Sequence, residues 1–330
     1  MKPVAVLART AFCEEFAGWE NSPAFAAASR HPLFSVVGRR YYAETYDQDI
    51  DTSFAVVSGQ EPLMLVFCNI HEQVLGLYGQ PMILVPRVDI DPSKYAPAVA
   101  AAVAELDRVA GQHCVHKVTI REDIVDSLLS MLGRNCVARG ATASVVQHGF
   151  CDLTLEEADI HRSVRKSFRS LINAGRRCMR MAYVNAVNPD KSLFDAYGDF
   201  HARIAGRVTR SERSWQAMFE WIAGGGGELA LAYHNDNELV AGTMTTDGSE
   251  VSYYASGVYD RDQFDKPLAH FPVYDAILRS RGRNMRRYDL GELMPKGVGT
   301  DKEYSIGHFK RGFATAVEMH LVWTWNTERA

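Results

Sequence analysis

Short apolar runs separated by polar turns mark the first half of the chain. Leu63-Met64-Leu65-Val66-Phe67 reads as a buried strand. A turn at His71-Glu72 and a return over Gln73 to Leu77 predict a hairpin. Met82 to Val85, His116 to Ile120 and Ala143 to Val146 predict further strands. Between them, Pro92 to Ala110 is rich in Ala with Leu106 and Val109 on one face, which predicts a helix, and Asp123 to Leu132 predicts another. Strands alternating with helices imply a sheet covered by helices. Residues 1–50 mix aromatics with polar turns and predict only short elements.

The second half opens on the longest periodic stretch, a helix expected over Glu156 to Met181. At about 100° per residue, Arg162, Arg165, Lys166, Arg169, Arg176, Arg177 and Arg180 fall within about 60° of one line, opposite Val164, Phe168, Leu171, Cys178 and Met179. Gly175, a poor helix former, is the expected interruption. A solvated charged face is one reading of the stripe. The other is a phosphate-bearing ligand, which would relieve the repulsion among like charges. Helices follow over Leu193 to Ala205 and Ser214 to Ala223. The glycine run 224–227 lacks the lysine and hydroxyl of a phosphate-binding loop, so it reads as a helix-to-strand turn. Strands at Glu228 to Tyr233, Glu238 to Thr245 and Val251 to Ser256 form a meander, with turns at Asn235-Asp236-Asn237 and Asp247-Gly248. A helix over Pro272 to Arg281 and a strand over Met285 to Leu290 complete the pattern. The order strand, turn, strand, glycine at 61–76 recurs at 228–242, which suggests two copies of one module.

Length suits two domains, placed at 1–150 and 151–330. Hydrophobic residues are 47% and charged residues 23% of the 330, as in ordinary globular proteins. A net charge of −4 leaves polyanion affinity to a local patch and gives no reason to expect DNA binding. Six widely spaced cysteines, without C-x-x-C pairs or zinc-like histidine spacing, are expected as reduced and mostly buried thiols, with no metal site. The N-terminal apolar run is too short for a secretory signal, and no segment approaches the roughly 20 apolar residues of a membrane span. A cytoplasmic protein is expected.

The densest chemistry lies near the C-terminus, in Tyr288-Asp289-Leu290-Gly291-Glu292 and Gly307-His308-Phe309-Lys310-Arg311-Gly312-Phe313. Asp289 and Glu292 end a strand, where α/β sites collect polar groups. Either is a candidate to accept a proton or bind a substrate, and turn capping is the plain alternative for Asp289. His201, His270 and His308 titrate in the right range by type, although a lone histidine is more often structural.

The second half resembles the Fem family of peptidoglycan-type aminoacyltransferases and its relatives in cell-surface polysaccharide gene sets, built from paired GNAT-like acyltransferase modules. The resemblance is carried by Arg165 to Asn173, Ala241-Gly242, Tyr254 to Ser256, Tyr288 to Gly291 and, most specifically, Phe309 to Phe313. It covers about 150–325; the first half matches only through the repeated strand-turn-strand order. It implies a mixed α+β fold of two tandem GNAT-like modules, each a mainly antiparallel sheet flanked by helices, the first degenerate and the second catalytic. It further implies that Lys310 stabilises an oxyanion, that Phe309 shapes the pocket and that Tyr254 faces the cleft. Arg165, Lys166, Arg169 and Arg176 would then track phosphate.

The donor is divided. No glycine occurs in Asp262 to His270, where a CoA-binding loop would lie, which argues against conventional CoA binding. Fem enzymes use aminoacyl-tRNA, yet the overall acidity weighs against tRNA. The expected function is transfer of an acyl or aminoacyl group, from acyl-CoA or aminoacyl-tRNA, onto an amine of a nucleotide-sugar or lipid-linked envelope precursor, with no permanently bound cofactor. The alternatives are a CoA-dependent N-acyltransferase of an amino sugar and a non-catalytic double module that binds a glycan or partner.

Overall fold

The computed structural model describes residues 4–8, 18–19, 22–46, 48–124, 128–234, 238–263 and 268–327. The strands are β1 (Val4–Ala8), β2 (Ile50–Asp51), β3 (Phe54–Ser58), β4 (Glu61–Phe67), β5 (Asn69–His71), β6 (Val74–Gly76), β7 (Ile83–Pro86), β8 (Lys117–Asp123), β9 (Thr142–Asp152), β10 (Met179–Val184), β11 (Gly227–His234), β12 (Leu239–Asp247), β13 (Val251–Tyr259), β14 (Arg287–Glu292) and β15 (Ala316–Asn326). The principal helices are α1 (Val36–Thr45), α2 (Pro92–Gln112), α3 (Met131–Val137), α4 (Glu157–Ser163), α5 (Lys166–Cys178), α6 (Lys191–Ala205), α7 (Glu212–Ala223), α8 (His270–Gly282) and α9 (Asp301–Arg311).

Two compact units result. One comprises 1–29, 46–146 and 319–330, and the other 30–45 and 147–318. They interleave along the chain and do not meet at a single cut near 150. In the first unit, the end of β15 pairs with β8 from His320 opposite Asp123 to Asn326 opposite Lys117. The second unit gains α1, whose Tyr41 packs on Trp221 and accepts a hydrogen bond from Arg210 Nε at 2.9 Å.

The first unit holds an antiparallel sheet in the order β1-β3-β4-β7, and β8, β6, β5 and β2 in a second sheet. The hairpin expected over 63–77 is corrected. Strand β4 pairs with β3 and β7, whereas β6 pairs with β5, Ile70 opposite Leu75. Glu72 and Gln73 both take positive φ, 45° and 63°, which is the two-residue turn whose twist suits a hairpin. The two copies of the strand-turn-strand order therefore differ: in the second the long first strand is itself half of the hairpin, β11 with β12, whereas in the first β4 lies outside the β5-β6 hairpin. The helix expected over 123–132 is also corrected: β8 runs to Asp123, and α3 begins at Met131, where Ser130 Oγ accepts the Gly133 N–H at 2.8 Å. Helix α2 matches its expected apolar face, burying Ala98, Val99, Ala102, Val103, Leu106 and Val109.

The sheet of the second unit runs β10-β11-β12-β13-β14-β9. Apolar side chains fill both of its faces. On one, Val164 and Phe168 meet Val273, Tyr274 and Ile277 of α8 with Phe313. On the other, Phe194 and Tyr197 of α6 meet Met218 and Trp221 of α7. The meander appears as expected; the turn at 235–237 lies outside the described residues. The single helix expected over 156–181 is corrected to α4, α5 and the start of β10. Its break is at Val164-Arg165 and not at Gly175, because the Arg165 N–H is captured by Gly312 O at 2.8 Å. Gly175 lies buried inside α5.

Candidate active site

Strands β13 and β14 are parallel neighbours only over Val251–Tyr253 and Arg287–Asp289, after which they part. The rest of β13 stays paired with β12 but not with β14. A cavity of about 820 Å³ lies along this freed stretch, lined by Tyr253 to Tyr259, by His201 of α6, and by Ile306, Phe309 and Lys310 of α9. Its size is within the range of small-molecule sites. In β13, Met244 faces Ser256 and Thr245 faces Tyr254, so Ala255 is an extra residue. The bulge follows Tyr254, and the strand lines the cavity without a break from Tyr253 to Tyr259.

Helix α9 carries the lysine. The sequence pattern does not announce it, but Thr300 and Glu303 cap its first turn reciprocally. Gly307 lets the helix approach the chain at Met294, whose N would lie 2.7 Å from a Cβ there. Phe168 occupies the space beside Gly312, and Phe168, His270, Phe309 and Phe313 form a ring cluster with centroids 4.5 to 6.4 Å apart. Phe309 is thereby fixed, and with it the direction of Lys310. The Lys310 Nζ lies 5.7 Å from the Tyr254 ring centre and 3.2 Å from where a Gly291 Cβ would stand. It is half-buried, and among the described residues nothing hydrogen-bonds or ion-pairs with it. Burial lowers its pKa, while Asp289 and Glu292 oppose the shift through their charge.

Asp289 is buried and committed. One oxygen accepts the Gly291 N–H at 2.6 Å, and the other lies 3.5 Å from His31 Nε2. Burial alone would raise its pKa, but the His31 hydrogen bond and charge, with His148 and Arg287, hold it well below the carboxylate range. His31 Nδ1 accepts the Leu33 N–H at 3.2 Å, so Nε2 is the nitrogen left to donate to Asp289. No sequence signal marked His31, because its partner lies 258 positions away. Glu292 is at the open end of β14; the protein around it raises its pKa, with Lys310 opposing and Glu303 reinforcing.

The Tyr254 and Tyr259 hydroxyls are 2.8 Å apart, and burial raises both pKa values. Gly257 makes the pair possible, since a Cβ there would lie 1.8 Å from the Tyr254 oxygen. His201 and His270 are pushed down to about 4 by burial and a nearby arginine, which leaves both neutral.

The basic residues scatter. Arg165 stacks on Phe168 and donates to His308 O at 2.8 Å, reaching the opposite side of α9 from the cavity. Arg169 donates to Val164 O at 2.9 Å, Arg176 lies over the Phe271 ring, and Lys166 is exposed. None of these four lines the Lys310 cavity. The expected phosphate track loses its single line once the helix breaks.

No protein-family model matches the chain, and no curated protein does. Solved structures do. FemX aligns with a TM-score of 0.62 at 14% identity, over 90% of this chain and 94% of its own. A tandem GNAT protein from the clavulanic acid biosynthesis pathway aligns at 0.62 and 15%, over 99% and 100%. L-PGS from Bacillus licheniformis aligns at 0.59 and 12%, over 94% and 93%. At these identities the likeness is one of fold: the chain is mixed α+β and Fem/GNAT-like over nearly its whole length.

Proposed function

We propose that the second unit is an acyltransferase that moves an acyl or aminoacyl group onto an amine of a phosphate-bearing envelope precursor. The observation that carries this reading is the half-buried Lys310 ammonium, without a hydrogen-bond or ion-pair partner among the described residues, at the cavity beside the parted strands. The freed edge of β13 offers backbone groups to an extended donor arm, as a sheet edge does to an added strand. With the donor carbonyl beside Lys310, amine attack forms a carbon–nitrogen bond and puts negative charge on the carbonyl oxygen. The ammonium stabilises that charge, and a partly desolvated cation does so more strongly than one in water. Collapse expels the donor's thiol or hydroxyl. Glu292, with its raised pKa, takes the amine proton better than Asp289, whose charge is engaged by His31 and Gly291. Phe309 holds the lysine and walls the cavity, and Tyr254 walls it opposite. The first unit, 1–29, 46–146 and 319–330, is the degenerate module.

The test is turnover by wild-type and Lys310→Ala protein, with acyl-CoA and aminoacyl-tRNA offered separately and products read by mass spectrometry. The variant should lose roughly 10²-fold or more, as when an oxyanion donor is removed. Unchanged turnover with every accepted donor would sink the assignment. The donor that supports turnover decides between the CoA-dependent and tRNA-dependent forms.

A further inference from the structure

Helices α1, α6 and α7 of the second unit wall a cavity of about 880 Å³ that shares no lining residue with the one beside Lys310. Arg210, in the loop between α6 and α7, is set partly buried in this wall, its guanidinium carbon 5.1 Å from the centre of the Trp215 ring. Its Nε donates to the Tyr41 hydroxyl at 2.9 Å, and its Nη1 donates to His201 Nε2 at 3.0 Å and to Thr209 Oγ1 at 3.5 Å. All three acceptors are neutral. Among the described residues, Nη2 and the Trp215 Nε1–H have no partner, and the guanidinium meets no carboxylate. Elsewhere in this unit arginines meet acids closely, Arg279 with Glu228 at 2.5 Å and Arg283 with Asp247 at 2.6 Å. A cation taken partly out of water without a counter-ion is costly, and a carboxylate on its free nitrogen would offset that cost.

The other charges of the wall restrict what brings the carboxylate. Arg40 is closed on Glu220 at 3.2 Å and Lys191 on Asp195. Arg213, Glu44, Asp199 and Glu212 have no ion pair among the described residues, so charges of both signs remain. A phosphate group would meet three unneutralised acids there, and no three His, Cys, Asp or Glu side chains among the described residues converge as metal ligands do. A ligand with one negative and one positive end matches. The Arg210–His201 bond sets Arg210 level with the α6 turn that shows Gly198, Asp199 and Ala202 to the cavity, which makes Asp199 the nearest acid in the wall to a ligand held on Arg210. Trp215 and the exposed Val208 supply apolar surface beside them.

We propose that this cavity is a second ligand site, for a free α-amino acid with an apolar side chain: its carboxylate on Arg210, its ammonium on Asp199 and its side chain against Trp215 and Val208. The site goes beyond the acyl-transfer reading, which uses none of these residues. It is nevertheless in touch with the Lys310 cavity, because Arg210 donates to His201 and His201 lines that cavity. A carboxylate on Arg210 offsets the charge that, after burial, holds the His201 pKa at about 4.

Calorimetry with L-leucine and the full chain tests the site. Binding at millimolar concentration or tighter is expected. L-leucinamide, which lacks the carboxylate, and N-acetyl-L-leucine, which lacks the ammonium, should each bind at least roughly tenfold more weakly, the worth of a charge-assisted hydrogen bond. Asp199→Asn, at an exposed position, should weaken leucine by a similar factor, and Arg210→Gln should abolish binding. Arg210 also holds Tyr41, so if Arg210→Gln unfolds, Asp199→Asn and the two analogues decide. Lys310→Ala should leave leucine binding unchanged. In protein carrying isotope-labelled histidine, leucine should move the His201 ring signal, identified by its loss in His201→Gln. Absent leucine binding, equal binding of either analogue, Asp199→Asn as tight as wild type, or an unmoved His201 signal overturns the proposal. So does a loss in Lys310→Ala, which would put the amino acid in the other cavity. Because the readout is binding, a negative result here leaves the Lys310 turnover test standing, and the reverse also holds.

Discussion

The Lys310 ammonium rests against Gly291, 3.2 Å from where a Cβ would stand, and Gly291 itself holds φ +80°. One glycine thus serves two requirements: a left-handed turn that lets β14 place its N–H on Asp289, and open space for the lysine head. The lysine is positioned as much by what is missing from residue 291 as by the rings that hold Phe309.

Gly291→Ala should therefore cost about 1–2 kcal/mol of stability, the usual penalty for a side chain in the left-handed region. It should also displace Lys310 and depress any turnover that Lys310→Ala depresses. Denaturant midpoints of the two variants separate the effects, since Lys310→Ala removes no backbone strain and should be nearly as stable as wild type. A Gly291→Ala midpoint equal to wild type would contradict the geometry.

Asp289 makes stability depend on acid. Its folded pKa lies below the value of about 3.9 for a free aspartate, so the unfolded chain takes up the proton first. The contribution is full above pH of about 4 and is lost as pH falls through the folded value. Asp289→Asn should be less stable than wild type near neutrality, because Gly291 N–H and His31 lose a charged acceptor. The two should converge in acid. Thermal unfolding across that range reads the result, and a constant gap down to low pH would show that Asp289 is not held ionised by its neighbours.

The cysteines should divide sharply by reactivity. Cys68, Cys136 and Cys151 are buried with thiols pushed up to about 12, and Cys151 also donates to Phe313 O at 2.8 Å, whereas Cys114 is exposed. At mildly alkaline pH a water-soluble thiol reagent should modify Cys114 quickly and spare those three until the protein unfolds, because the thiolate is the reactive form. Peptide mass spectrometry identifies the sites. Rapid labelling of Cys151 in folded protein would contradict its packing.

The particular failures of sequence reading share a cause. Ser130 and Thr300 announce their helix starts only through caps, which a search for apolar periodicity passes over. The basic stripe was regular in sequence, yet Gly312 captures the N–H of Arg165 from 147 positions away and breaks the helix. The hairpin expected to turn at His71-Glu72 turns one residue later, at Glu72-Gln73, and its first strand is β5 and not β4, two strands separated only by Cys68 and so read as one run.

By itself the sequence determined the strands with continuous apolar runs, the meander of the second unit, helices α2, α6, α7 and α8, and the Phe309-Lys310 pair as a place to look. These depend on local periodicity and on residue types that have few alternative uses. The tertiary structure decided that His31 meets Asp289, that β13 and β14 part after three residues, and that Arg165 turns away from Lys310 to the other side of α9. Each depends on hydrogen bonds and packing between residues more than thirty positions apart, and the periodicity of a single segment carries no information about its distant partner.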